Sequence, residues 1–215
     1  MACRCADVGL DEIFDEQFAR RDAERYRRKG LPRRARILLE LLSNAVNLRG
    51  ITTLEGGAGA GAVSVELVRR GAARAKGIDA TPAAVQYARW LAGQFDLANR
   101  VDFEVGDFAA PELNVQPADV VVLDRVVCCY PDWRGLLLNA ATHAHRAVAL
   151  TYPPDNKLSA FEIGSVNLFQ RVMRKRFRLQ LHSSAAMLGL LADYGFVRVE
   201  RRRYWFWEIA VASRV

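Results

Sequence analysis

The chain has 215 residues, 51% hydrophobic and 26% charged, the make-up of a globular α/β domain with an ample core. No apolar run nears the ~20 residues that span a bilayer, and the N-terminus lacks the basic start and apolar stretch of a secretory signal, so a cytoplasmic protein without membrane association is expected. The net charge of +7, nearly all from arginine, is spread over "RYRRKGLPRRAR", "RVMRKRFR" and "RVERRRYW"; it reads first as solvated faces, with nucleic-acid binding as the alternative.

Four cysteines occur, Cys3, Cys5, Cys128 and Cys129. A vicinal pair and a lone C-x-C make neither a disulfide framework nor a complete metal site, so free thiols and no metal are expected.

Two helices open the chain. Over residues 11–28, Ile13, Phe14, Phe18 and Tyr26 share a face. Over 32–47, Leu38, Leu41, Leu42, Ala45 and Val46 recur at helical spacing, with Pro32 in the first turn. Residues 1–48 are expected to form a helical lid on a ligand-binding domain at 49–215. "ITTLE" then reads as a strand and "GAVSVELVRRG" as a helix closed by Gly71. "RAKGID" is a second strand, and "TPAAVQYARWLAGQF" a helix with Thr81 as N-cap and Pro82 behind it. "RVDFEV" is a third strand. "ADVVVLD" is a continuous apolar run, as in a strand buried on both faces of a parallel sheet. Asp132 can cap the next helix, and "RAVALTY" is a fifth strand.

This alternation predicts a doubly wound, mostly parallel sheet. Right-handed crossovers gather the C-terminal strand ends along one edge, where ligands bind. The last third departs from the pattern. Helices are expected at about 159–176 and after Ser183/Ser184, the latter ended by Gly195. "GFVRVERR" and "YWFWEIAVAS" then form an antiparallel hairpin turning at Arg203–Tyr204. Segment 155–182 reads as a substrate-side insertion. Its apolar side holds Phe161, Ile163, Val166, Leu168, Phe169, Val172 and Met173, and its basic rim Arg171, Arg174 and Arg176.

Chemistry concentrates at the strand ends. Gly57, Gly59 and Gly61 follow the first strand and open a helix, where a bare backbone can touch a ligand. Dinucleotide enzymes use such a turn for a pyrophosphate, and "GAGAGA" fits their pattern. Glu55, two residues earlier, would repel a pyrophosphate but suits a cationic ligand. Asp79, at the end of the second strand, could accept from ribose hydroxyls. Asp107, after the third, could accept from an adenine amino group, with Phe108 over the ring.

Taken together, "LEGGAGAG", "GIDATPAAVQYAR", "VDFEVGDF" and "ADVVVLDRVVCCYPD" resemble, in order and spacing, the four motifs of the Rossmann-like (class I) S-adenosylmethionine-dependent methyltransferases. The resemblance covers residues 50–152 and extends to the C-terminal hairpin. It implies a seven-stranded sheet with the last strand inserted antiparallel. It also implies that Gly57, Gly59 and Gly61 line the methionine and ribose of the cofactor, with Glu55 nearby. Asp79 would then bind the ribose, Asp107 and Phe108 would frame the adenine, and the Asp124–Arg125 backbone would meet the methionine end. Gly56 departs from the family, which has a bulky apolar residue there.

A methyl acceptor needs a base only if it must lose a proton. Tyr130, Tyr152 and His182 are the candidates, with Asp155 beside Tyr152; His143 and His145 read as helix-surface residues. "TYPPD" and the Cys128–Cys129 pair differ in context from the motifs of nucleic-acid methylation, and the cysteines read as packing residues. The expected activity is methyl transfer from S-adenosylmethionine to a small molecule. The alternatives are an RNA methyltransferase, an NAD-dependent oxidoreductase and a non-catalytic cofactor-binding module. The sequence assigns no oligomeric state.

Overall fold

A computed structural model describes residues 8–215; Cys3 and Cys5 lie outside the described residues. Its strands are β1 (Thr52–Gly56), β2 (Arg74–Asp79), β3 (Val101–Val105), β4 (Ala118–Asp124), β5 (Ala144–Tyr152), β6 (Arg198–Tyr204) and β7 (Trp207–Ser213). They form one sheet in the order β3-β2-β1-β4-β5-β7-β6. The first five run parallel, and β7 lies antiparallel between β5 and β6. This is the doubly wound seven-stranded sheet that the sequence predicts.

Helices cover both faces: α1 (Glu16–Lys29), α2 (Arg33–Ala45), α3 (Ala62–Arg69), α4 (Pro82–Gln94), α5 (Trp133–His143), α6 (Lys157–Val172) and α7 (Ser184–Asp193). The side-chain alternation of β4 divides the core. Val120 and Val122 point to one face, with residues of α2, α3 and α4. Val121 and Leu123 point to the other, with residues of α5 and α7. Helix α2 packs across β7, β5 and β6. Its stripe of Ile37, Leu38, Leu41 and Leu42 is buried, each side chain contributing about 1.5–3 kcal/mol. No described helix is long and apolar enough to cross a membrane.

Several local expectations change. The single helix expected over 11–28 is a 3₁₀ turn (Leu10–Glu12) followed by α1, because Asp15 caps α1 by accepting from the Phe18 N–H at 2.8 Å. Thr81 does stand at the N-cap of α4, yet its side chain makes no capping bond. Its hydroxyl donates instead to Asp79 Oδ1 at 2.7 Å. The α6 helix stops at Val172, short of the expected 176, and Arg174 turns the chain with a φ of 56°. The hairpin turns at Trp205–Phe206, not Arg203–Tyr204: Tyr204 pairs with Trp207, and Trp205 takes the left-handed φ of 50°.

Candidate functional site

The strand order reverses between β1 and β4. The loops leaving these two strands part there and open a crevice, the usual ligand position in such sheets. A cavity of about 290 Å³ occupies it. The Gly57–Ala60 loop, Asp79–Thr81 and Asp124–Val126 line its sheet side. Leu10, Phe14, Phe18 and Tyr26, from the N-terminal turn and α1, line the opposite side.

The glycine loop is held tightly on one side and open on the other. Ala58 N–H donates to Ile78 O at 3.0 Å, and Gly59 N–H to Asp79 Oδ2 at 2.8 Å, so the loop docks on the end of β2. Gly59 has a φ of 53°, and a Cβ placed there would meet nothing within 4 Å. Its bare face looks into open space beside the cavity. Gly61 is different: it does not border the cavity, and a Cβ there would lie 2.4 Å from Phe103 Cζ. Gly56 is also explained by space. A Cβ there would come within 2.6 Å of Phe108 Cγ and 2.8 Å of Leu123 Cδ2. The Phe108 ring occupies the volume that a bulky side chain at 56 would fill.

Glu55 is buried at the N-terminus of α3. Its Oε2 accepts from Ser64 N–H at 3.0 Å and from Ser64 Oγ–H at 2.5 Å. Burial pushes its pKa up to about 8 against these two donors, and the Asp79 charge adds to the rise. Asp79 Oδ1 accepts from the Thr81 N–H as well as its hydroxyl. Both carboxylates border the cavity.

The strand end after β4 is built around a buried ion pair. Arg34 of α2 donates to Asp124 Oδ1 and lies 5.4 Å from the Trp207 ring centroid. Thr151 Oγ–H donates to the same oxygen at 2.6 Å, and Arg125 N–H donates to Thr151 Oγ at 2.9 Å. Burial, then the nearby Arg125 cation, lowers the Arg34 pKa to about 9. Arg125 holds a φ of 63°, costly for a residue with a side chain, and its Nε is buried without a partner. A left-handed backbone and an unpartnered buried donor set this turn apart from the other strand ends. The sequence reading missed Arg34. A charged residue on the stripe of Ile37, Leu38 and Leu41 was the available signal.

The remaining candidates separate. Tyr130 lines the cavity, and its hydroxyl donates to Asp107 Oδ1 at 3.2 Å. Asp107 itself stands behind Tyr130, off the cavity wall. Phe108 is buried in the core that holds Leu123 and does not border the cavity. Tyr152 is buried away from it, donating to Glu208 Oε1 at 3.1 Å, and burial raises its phenol well above the ordinary value. The His182 ring also stands off the cavity, with Nε2 2.9 Å from Tyr130 O, and burial lowers its pKa. Cys128 and Cys129, read as packing residues, are buried in a 3₁₀ turn (Val127–Cys129) and border the cavity.

Residues 47–186 match the family model described as a methyltransferase domain. Among solved structures, magnesium protoporphyrin IX methyltransferase from Synechocystis PCC 6803, with bound SAH, superposes with a TM-score of 0.66 at 20% identity, covering 98% of this chain and 86% of that one. An O-methyltransferase family protein from Burkholderia thailandensis gives a TM-score of 0.71 at 17% identity, covering 96% and 63%. A putative S-adenosyl-L-methionine-dependent methyltransferase from Methanococcus maripaludis gives 0.67 at 18% identity, covering 94% of each chain. At these identities the likeness is one of fold. No curated protein sequence matches the chain.

Proposed function

The chain belongs to the class I S-adenosylmethionine-dependent methyltransferases, and from that premise we propose that it methylates a small-molecule acceptor held between the glycine loop and α1. The observation that carries the acceptor class is the cavity itself. Its acceptor side is walled by Leu10, Phe14, Phe18 and Leu179, with the ion-paired Arg25 and Asp22 among them. Such a wall suits a compact, largely apolar molecule. A nucleic-acid site would instead need a continuous basic groove, and the exposed arginines are dispersed over α1, α6 and β6.

The residues present fit the cofactor. Glu55 is a buried carboxyl that a ligand ammonium would ionise. Arg125 has a buried Nε to offer a carboxylate. Asp79 Oδ2 has a lone pair left for a ribose hydroxyl, and Gly59 leaves room for a ligand against its backbone. The assignment of Glu55, Gly57, Gly59, Asp79 and the Asp124–Arg125 turn to cofactor binding belongs to this proposal. So does the lid role expected of residues 1–48, which falls to the segment before α2 because α2 itself packs across β7, β5 and β6.

When bound, S-adenosylmethionine supplies a methyl group on an activated sulfonium. The chain's own part is to hold, align and dry the reactants. The phenylalanines of the N-terminal segment exclude water. Where the acceptor must lose a proton, Tyr130 and Asp107 offer a hydrogen-bonded route away from the cavity.

Incubation of cell extract with methyl-labelled cofactor, followed by separation into small-molecule, protein and RNA fractions, tests the reading. Label is expected in the small-molecule fraction. Label confined to RNA or protein would overturn the acceptor class.

A further inference from the structure

Helix α6 is amphipathic in the wrong sense for a surface helix. Its buried residues are Ser159, Ile163 and Gln170. Asn167 anchors it by exchanging two 2.8 Å bonds with the Leu179 backbone. Its large apolar side chains point outward instead: Leu158, Phe161, Leu168, Phe169, Val172 and the adjoining Met173 are 55–73% exposed. At 100° per residue they fall on one stripe, where an ordinary surface helix carries charge. Together they expose on the order of 700 Å² of largely apolar surface, more than a monomer usually leaves in one patch.

Part of the stripe is symmetric about Ser165, while Leu168 and Met173 stand opposite Glu162 and Lys157. Phe161 and Phe169 stand four residues to either side, and Leu158 and Val172 seven. Ser165 is small, and its hydroxyl already donates to Phe161 O at 2.9 Å, so it brings no unsatisfied group to a dry contact. A two-fold interface requires a surface complementary to itself. An antiparallel pairing of α6 with its own copy supplies one, matching phenylalanine to phenylalanine and Leu158 to Val172. The area is close to the ~800 Å² per partner of a standard stable interface. Exposed Glu162 shares the stripe, between Phe169 and Met173 around the helix, and an acyl-chain layer would leave its carboxylate unsolvated.

We infer that α6 is the two-fold interface of a homodimer, with Ser165 at the axis. The inference is independent of the methyl-transfer reading. Sedimentation velocity of the full chain is expected to give twice the 24.0 kDa mass from micromolar concentrations upward. The double variant F161E/F169E is expected to sediment as a monomer that still melts cooperatively, at a Tm lowered by the lost dimer linkage alone, since both side chains are exposed in the monomer. Independently of that variant, Ser165→Cys with Cys3 and Cys5 replaced by serine is expected to link two chains by a disulfide on oxidation, and Ala160→Cys, off the stripe, is not. A monomer at all concentrations, a double variant that stays dimeric, or linking in the Ala160→Cys variant but not in the Ser165→Cys variant would overturn it. So would a monomer that co-sediments with phosphatidylglycerol vesicles through Phe161 and Phe169, which would make the stripe a membrane contact.

Discussion

Arg34 of α2 and Asp124 at the end of β4, 90 positions apart in the chain, form a buried ion pair beside Trp207 at the cavity wall. The pair joins the helical N-terminal region to the strand end that borders the cavity. Removing one partner leaves the other buried and uncompensated. Arg34→Met is therefore expected to cost about 3–5 kcal/mol, with the double variant R34M/D124L recovering most of it. Chemical denaturation measures both. A loss below about 1 kcal/mol in the single variant would show that solvent reaches the pair.

Glu55 sets a pH dependence with a definite sign. Its pKa is raised in the folded chain to about 8 from 4.5, so between these values the folded state holds a proton that the unfolded state has lost. Stability should then fall as pH rises through this window, by up to about 1.4 kcal/mol per unit, and Glu55→Gln should remove that slope. Binding of S-adenosylhomocysteine places an ammonium beside the carboxyl and should expel the proton. Calorimetry in buffers of differing ionisation enthalpy reads this release, and its absence in the wild type would separate Glu55 from the ammonium.

Two neighbouring glycines should fail in different ways. Gly56→Ala forces a methyl group against Phe108 and Leu123 and is expected to cost about 1–3 kcal/mol of stability. Its residual folded fraction should bind S-adenosylhomocysteine normally. Gly59→Val meets open space but carries a branched side chain at a φ of 53°. Binding is expected to drop at least tenfold with a smaller loss of stability. Thermal melts and titration calorimetry on both variants separate the outcomes, and equal loss of binding in both would mean that the whole loop acts as one unit.

The two tyrosines offer a third contrast. Tyr130→Phe removes a hydroxyl at the cavity wall, while Tyr152→Phe removes one bonded to Glu208 away from it. Turnover is expected to fall at least tenfold in the first and stay within twofold in the second. The second should instead lose about 1 kcal/mol of stability. A Tyr130→Phe enzyme with full turnover would remove the phenol from the proton route.

Much of this was readable because it is local. The glycine loop, the acidic strand ends and the alternation of strands with helices are patterns within a few residues, and the sheet follows from them. Arg34 was not readable in the same way, since its partner is set by tertiary packing. Phe108 misled for a related reason. Its place beside Asp107 suggested a face for a ligand ring, but its side chain turns inward to fill the gap over Gly56, so two unexplained features of the sequence were one contact. The hairpin turn went astray because Trp205 takes a left-handed conformation that its residue type disfavours.

The ring of Phe103 extends this logic to the other face of the sheet. Side chains at 61 and 77 are excluded because their Cβ atoms would lie 2.4–2.6 Å from that ring. The glycine loop is thus clamped by one phenylalanine on each side of the sheet, Phe108 over Gly56 and Phe103 over Gly61. The consequence is historical as well as mechanical. In homologues, a larger residue at 56 should travel with a smaller one at 108, and larger residues at 61 or 77 with a smaller one at 103. The glycines of this loop therefore answer to two demands, open space at Gly59 and a pair of buried rings at Gly56 and Gly61.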